Sequence, residues 1–256
     1  MNALRTSTVS EIRALSSSAA LRARYGRIYA GSRQALLENK VNLEQFIGTQ
    51  NPGVSLLVHV GGYPSSAVKP LVGAQERLRE ADPSLYLHAT DTLHIGAFLL
   101  NPSYNHDMEE SVGQKEVYSG RPIFEEKEYE RYCEAIRAVL AKRSPFDIRF
   151  SGVCASTSAV FAQGIDGGAL NDLRLRLWDG LEQEGLPFVD RQPNIVHCTL
   201  ARFVGPLSQP AGFVKEIDRL RTSDLGSIRV RQLSLIREGL AYLESYQLLH
   251  TFPLGA

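Results

Sequence analysis

Two histidines head short segments of the same design, and one of them sits beside a hydroxyl that can hold an oxyanion. In Asn194-Ile-Val-His-Cys-Thr-Leu-Ala-Arg-Phe203, period-two alternation puts Val196, Cys198 and Leu200 on one face of a strand. His197 and Thr199 share the other face, followed there by Ala201 and Phe203. The second segment lies 103 residues earlier, Asp91-Thr-Leu-His-Ile-Gly-Ala-Phe-Leu-Leu100. There Leu93, Ile95, Ala97 and Leu99 line the apolar face, His94 begins the polar one, and Gly96 stands where Thr199 stands in its counterpart. Imidazole, with an ordinary pKa of about 6.5, gives and takes protons near neutral pH. A hydrolysis or group transfer needs that service twice: a base for the attacking oxygen, and an acid for the leaving one. Histidine can fill both roles without a metal, and the His, Cys, Asp and Glu residues show no metal-ligand spacing. A lone His-x-Thr is more often a satisfied, half-buried pair. It is the second segment that points to two half-sites facing one cleft. His88-Ala-Thr90 is a competing His-x-Thr with a shorter apolar run behind it, and His59, inside Val54–Val60, reads as a core or sheet-flank residue.

The elements that must position these histidines follow from periodicity and breakers. Residues 1–50 read as a helical, peripheral extension, with Ile12, Leu15, Ala19 and Ala23 at helical spacing and Ile28, Leu36, Leu37, Leu43 and Phe46 further on. Val54–Val60 is a nearly all-apolar strand, and a helix runs from Ser65 or Ser66 to about Glu80. Short strands follow at Leu85–Ala89 and Leu93–Leu100. Residues 101–123 are polar and turn-rich, a lid-like insertion directly after the first histidine strand, with Tyr104 and Arg121 as candidate substrate contacts and Tyr118 and His106 nearby. Beyond it come a helix over 125–143, strands over 146–150 and 159–163, a helix over 171–185, the His197 strand and a helix over 211–221. Two final strands, 227–237 and 240–254, turn at Glu238-Gly239. That order is not a regular βαβ alternation, so a doubly wound parallel sheet is disfavoured. Residues 51–256 are expected to form an α+β fold of two similar lobes, with mixed or antiparallel sheets and outer helices around a central cleft.

The two segments resemble the signature of the 2H phosphoesterase superfamily, which includes RNA 2',3'-cyclic phosphodiesterases and 2'-5' RNA ligases. That signature is a pair of His-x-Thr/Ser motifs on central strands of two similar lobes. His197-Cys198-Thr199 matches it in full, and Leu93-His94 matches the first motif up to Gly96, where the hydroxyl is absent. The resemblance covers residues 54–254. It implies His94 and His197 as catalytic residues and Thr199, with Gly96, as the phosphate-binding positions. The implied activity is metal-independent hydrolysis of a cyclic phosphate on a nucleotide or RNA end, with no cofactor. A weakly active or inactive nucleotide-binding relative is the alternative. Glycine at position 96 is either a lost donor, or a residue that makes room for a bulkier substrate group or offers its amide to the phosphate; the second reading is favoured because glycine uniquely gives space.

Composition bounds the rest. With 43% hydrophobic and 22% charged residues, the 256-residue chain is ordinary for a globular protein. Its formal net charge is zero, so no global field draws in a long duplex nucleic acid. The basic residues are 22 arginines and 6 lysines, a bias that suits phosphate recognition and equally follows from a GC-rich genome. Cys133, Cys154 and Cys198 fit neither a disulfide framework nor a zinc site, so a reducing, cytoplasmic setting is expected. A Ser/Arg-rich start whose only acidic residue up to Arg27 is Glu11 leaves an organellar destination as the alternative. No apolar run is long enough for a membrane span, and a monomer is expected.

Overall fold

The computed structural model describes residues 3–51, 53–101, 124 and 126–255. Tyr104, His106, Tyr118 and Arg121 therefore lie outside the described residues. Six α-helices are described: α1 (Ala3–Ala14), α2 (Ser18–Leu37), α3 (Ser65–Ala81), α4 (Tyr129–Leu140), α5 (Ala169–Gln183) and α6 (Pro210–Leu220). Nine strands lie among the described residues: β1 (Val54–His59), β2 (Leu85–Leu87), β3 (His94–Asn101), β4 (Phe146–Ala155), β5 (Ala159–Ile165), β6 (His197–Phe203), β7 (Ser227–Val230), β8 (Gln232–Leu240) and β9 (Ser245–Pro253). They form a four-stranded sheet in the order β3-β1-β8-β9 and a five-stranded sheet in the order β2-β6-β5-β4-β7. Every pairing is antiparallel. The α+β expectation stands, and the strand pairing resolves to fully antiparallel.

Neither sheet belongs to one half of the chain. The closing hairpin β8-β9 returns to the first sheet, and the early strand β2 pairs with β6 in the second. Helices cover the outer faces, with α2 and α6 on β4 and α5 on β3. Among the described residues the sheets meet where β3 lies against β6, so the two histidine strands touch each other.

Two local expectations are corrected. The first concerns the N-terminal helices: α2 is not peripheral, because Leu21, Tyr25, Tyr29 and Leu36 are buried in the main core. Its N-cap is Ser17, whose hydroxyl accepts from the Ala20 amide at 3.2 Å, and residues beyond Leu37 leave the helix. The second concerns the last hairpin, which does not turn at Glu238-Gly239. β8 runs on to Leu240, where it bridges Gln50, and the Glu238 amide bonds the Gly53 carbonyl. The turn falls at residues 241–244, with Tyr242 and Leu243 both at φ +61°, a left-handed conformation that non-glycine residues adopt only when their surroundings hold them.

Candidate active site

Each histidine occupies the first position of its strand, at the end of an irregular approach. The turn Thr90–Thr92 precedes β3, and the His94 ring folds back so that Nδ1 lies 2.8 Å from the Thr92 carbonyl oxygen. A carbonyl only accepts, so this contact places the proton on Nδ1 and leaves Nε2 as the lone-pair nitrogen of the neutral ring. On β6 the corresponding carbonyl, Ile195, also sits two residues back and acts on the His197 ring in the same sense, drawing protonation up. His197 Nδ1 is buried outside hydrogen-bond geometry to it, so the arrangement is looser there.

Beyond each motif the strand pairing slips at the same offset. Gly96 opposes Leu57 and Phe98 opposes Leu56, which leaves Ala97 unpaired. Thr199 opposes Phe161 and Ala201 opposes Val160, which leaves Leu200 unpaired. Each bulge thus falls three residues after its histidine. On β6 this corrects the sequence reading, because a bulge inverts the alternation beyond it. Ala201 and Phe203 are fully buried in the core, and Arg202 takes the half-buried side shared by His197 and Thr199. No alternation rule flags Arg202; only the register slip brings it there.

The electrostatics of the site are set by burial and by two guanidiniums. His197 is pushed down to about 3, first by burial and then by Arg174, His94 and Arg202. His94 is pushed down to about 4, mainly by burial, with His59 and Arg202 adding to the fall against the pull of the Thr92 carbonyl. Both rings are therefore neutral near pH 7, and each lies within electrostatic reach of the other. Cys198, between His197 and Thr199, is fully buried against the His94 backbone, and burial pushes its thiol up to about 12. It is an inert wall of the site.

The other candidates fall as follows. Gly96 is half-buried, and a Cβ placed there meets only Pro193 Cγ at 3.7 Å, an ordinary contact. The protein leaves that space open. Thr199 is half-buried and unpaired among the described residues. His59 pairs with His94 across β1 and β3, donates from Nε2 to the Asp91 carbonyl at 2.5 Å and meets the Tyr246 ring edge-on at 5.9 Å. His88, the competing motif residue, is only 3% exposed and wedged edge-on between Tyr86 and Tyr242, so it is a core residue.

Around Arg202 the structure gathers residues the sequence reading missed. Its guanidinium stacks 4.0 Å from the Tyr242 ring centroid, which the left-handed turn delivers, and Nη1 reaches Glu44 Oε2 at 3.2 Å. Its Nε is buried without a partner. Glu238 lies within electrostatic reach, its carboxyl pushed up to about 7 by burial against the opposing pull of the Asn51 amide and Arg202. Among the described residues no His, Cys, Asp or Glu cluster is arranged to hold a metal ion, and no helix is long and apolar enough to cross a membrane.

Comparison with known proteins gives this arrangement relatives. Residues 121–240 match the family model of the 2'-5' RNA ligase superfamily. A curated RNA 2',3'-cyclic phosphodiesterase from Geobacillus stearothermophilus is 29% identical over 127 residues. That match takes in 48% of this chain and 39% of the relative, so the chain spans well under half of the relative's length. Among solved structures, TT0787 of Thermus thermophilus superposes with a TM-score of 0.54 at 20% identity, covering 79% of this chain and 97% of that one. Escherichia coli LigT complexed with 3'-AMP superposes with a TM-score of 0.52 at 13% identity, over 81% of this chain and 100% of its own.

Proposed function

We propose that the chain is a member of the 2'-5' RNA ligase superfamily, the 2H phosphoesterases, whose model matches residues 121–240, and that it hydrolyses a cyclic phosphate on a nucleotide or RNA end with His94 and His197 as its proton-transfer pair. The observation that carries this reading is that both histidines head the two strands at which the sheets meet, β3 and β6. One neutral imidazole takes the proton of a water as its oxygen attacks phosphorus. The other delivers a proton to the ribose oxygen as its bond to phosphorus breaks. Substrate anion between the rings favours their charged forms, so a site tuned to neutrality when empty acquires its acid on binding.

Thr199 is the hydroxyl donor to a non-bridging phosphoryl oxygen. Gly96 offers no second one, and loss of a preorganised donor costs about 2.7–4 kcal/mol at a transition state. Arg202, on the same side as Thr199 with an unpartnered Nε, is the group placed to compensate for that charge. Tyr104 and Arg121 remain proposed substrate contacts from the insertion. The missing hydroxyl at Gly96 also favours a second reading, a relative that binds nucleotide without turning it over.

The test is hydrolysis of a 2',3'-cyclic nucleotide by protein stripped with EDTA. Turnover should survive the chelator, and His94→Ala and His197→Ala should each lower kcat by about 10²-fold or more. Loss of activity in EDTA with recovery on one particular divalent ion contradicts the mechanism. Tight product binding without turnover selects the binding reading.

A further inference from the structure

The helix that precedes each histidine strand grips the other one at its bulge. Gln75 on α3 donates to the carbonyl of the unpaired residue on β6, Leu200, at 2.9 Å, and to the His88 carbonyl at 2.7 Å. Arg174 on α5 does the same on β3: Nε donates to the carbonyl of the unpaired Ala97 at 3.0 Å and Nη2 to the Gly96 carbonyl at 2.6 Å. Arg174 then goes further. Nη2 also reaches the Ile195 carbonyl, two residues before His197, at 3.1 Å, and Nη1 donates to Asn171 Oδ1 at 2.6 Å. One side chain therefore holds both half-sites, through the strand of His94 and the approach to His197.

The Gln75 side shows that a neutral amide suffices to satisfy bulge carbonyls in this fold. Arg174 places a full charge there instead, with a relative exposure of 0%, and its four hydrogen bonds all go to neutral acceptors. Burying an ion without a partnering carboxylate is costly, and here burial brings the guanidinium down to about 10, with Asp166 acting on it only at longer range. A purely structural clamp has no use for that charge.

Resting on the two-histidine reading above, we propose that Arg174 is a positioning residue that fixes the spacing of the two histidine strands and sets a permanent positive charge beside His197. The groups facing His197 are Arg174 from α5, His94 from β3, Phe161 edge-on from β5 at 5.3 Å and Arg202 from its own strand. Arg174 is the first of the charged neighbours in its effect on the ring. His94 faces His59 and Arg202 but takes no such influence from Arg174. The two rings, alike in design, are thereby made unequal.

The experiment compares Arg174→Gln, which keeps amide donors and removes the charge, with Arg174→Lys, which keeps the charge and cannot reach three carbonyls. Folding is checked by thermal melting, kcat and kcat/KM are followed against pH on a 2',3'-cyclic nucleotide, and both histidine rings are titrated by NMR. Arg174→Gln should raise the midpoint of His197, leave that of His94 nearly in place and shift the acid limb of kcat/KM to higher pH. Arg174→Lys should leave the His197 midpoint low yet cut kcat about tenfold or more, since small misplacements of catalytic groups cost up to about 10²-fold. Folded variants with unchanged kcat and unchanged midpoints overturn the proposal. If the glutamine variant does not fold, wild-type kcat in Arg174→Lys overturns it alone. A wild-type protein without turnover sinks the hydrolase reading, while the ring titrations still decide the role of Arg174.

Discussion

At the scale of single residues, the odd position is Gly96. Only Pro193 Cγ stands near a Cβ built there, at 3.7 Å, and the backbone is not in the left-handed region. Neither packing nor conformation demands glycine, and the proposed function gives the open volume to the ligand. Gly96→Thr should fold at least as stably as the wild type, since glycine inside a strand is weaker than a β-branched residue by up to about 1 kcal/mol. Its KM for the cyclic nucleotide should rise, with Gly96→Ala in between. Steady-state kinetics decide the matter: a higher kcat in the threonine variant with alanine unchanged identifies a lost donor instead. His94, His197, Thr199 and Gly96 were all legible as a pair of matching polar faces. Arg202 was not, because its side of the strand depends on a bulge that leaves no residue-type signal.

At the scale of elements, the support for the second half-site comes from outside the stretch that carries the motifs. Three successive carbonyls before His197 are held by buried side chains: Asn194 by the Asn171 amide at 3.0 Å, Ile195 by Arg174, and Val196 by the Tyr25 hydroxyl of α2. The same hydroxyl shares its single proton with the Gly164 carbonyl, 3.0 Å away. Burial raises the Tyr25 pKa, so the group remains a donor throughout the usable pH range. Tyr25→Phe should therefore cost about 1–3 kcal/mol, the penalty for unpairing buried polar groups. A urea-denaturation midpoint indistinguishable from wild type would show that α2 merely covers the sheet. The helical character of this region was readable from its periodicity. Its role in the core was not, since a tyrosine at a helical position looks the same whether it faces water or a strand carbonyl. The last hairpin misled for the converse reason: Glu238-Gly239 has turn chemistry, yet pairing with the Gly53 carbonyl and Gln50 holds β8 extended past it.

At the scale of the whole molecule, the site is made by exchange between the two halves of the chain. β2 and the β8-β9 hairpin each join the sheet of the opposite half, and Gln75 and Arg174 each bond the opposite histidine strand. Sequence order suggested two lobes, and repetition of the His-headed strand suggested one cleft. The crossing of strands and helices between the sheets is a long-range property that no local period encodes. On the proposed function it brings His94 and His197 within reach of one ligand, and a direct measurement can test that. Both ring midpoints, about 4 for His94 and about 3 for His197 in the empty site, should be followed by NMR as a 2'- or 3'-nucleoside monophosphate is added. An anion held between the rings stabilises both imidazolium forms, so both midpoints should move upward together and saturate at the same nucleotide concentration. Movement of one ring alone, or of neither at saturating ligand, would contradict a phosphate shared by the two histidines.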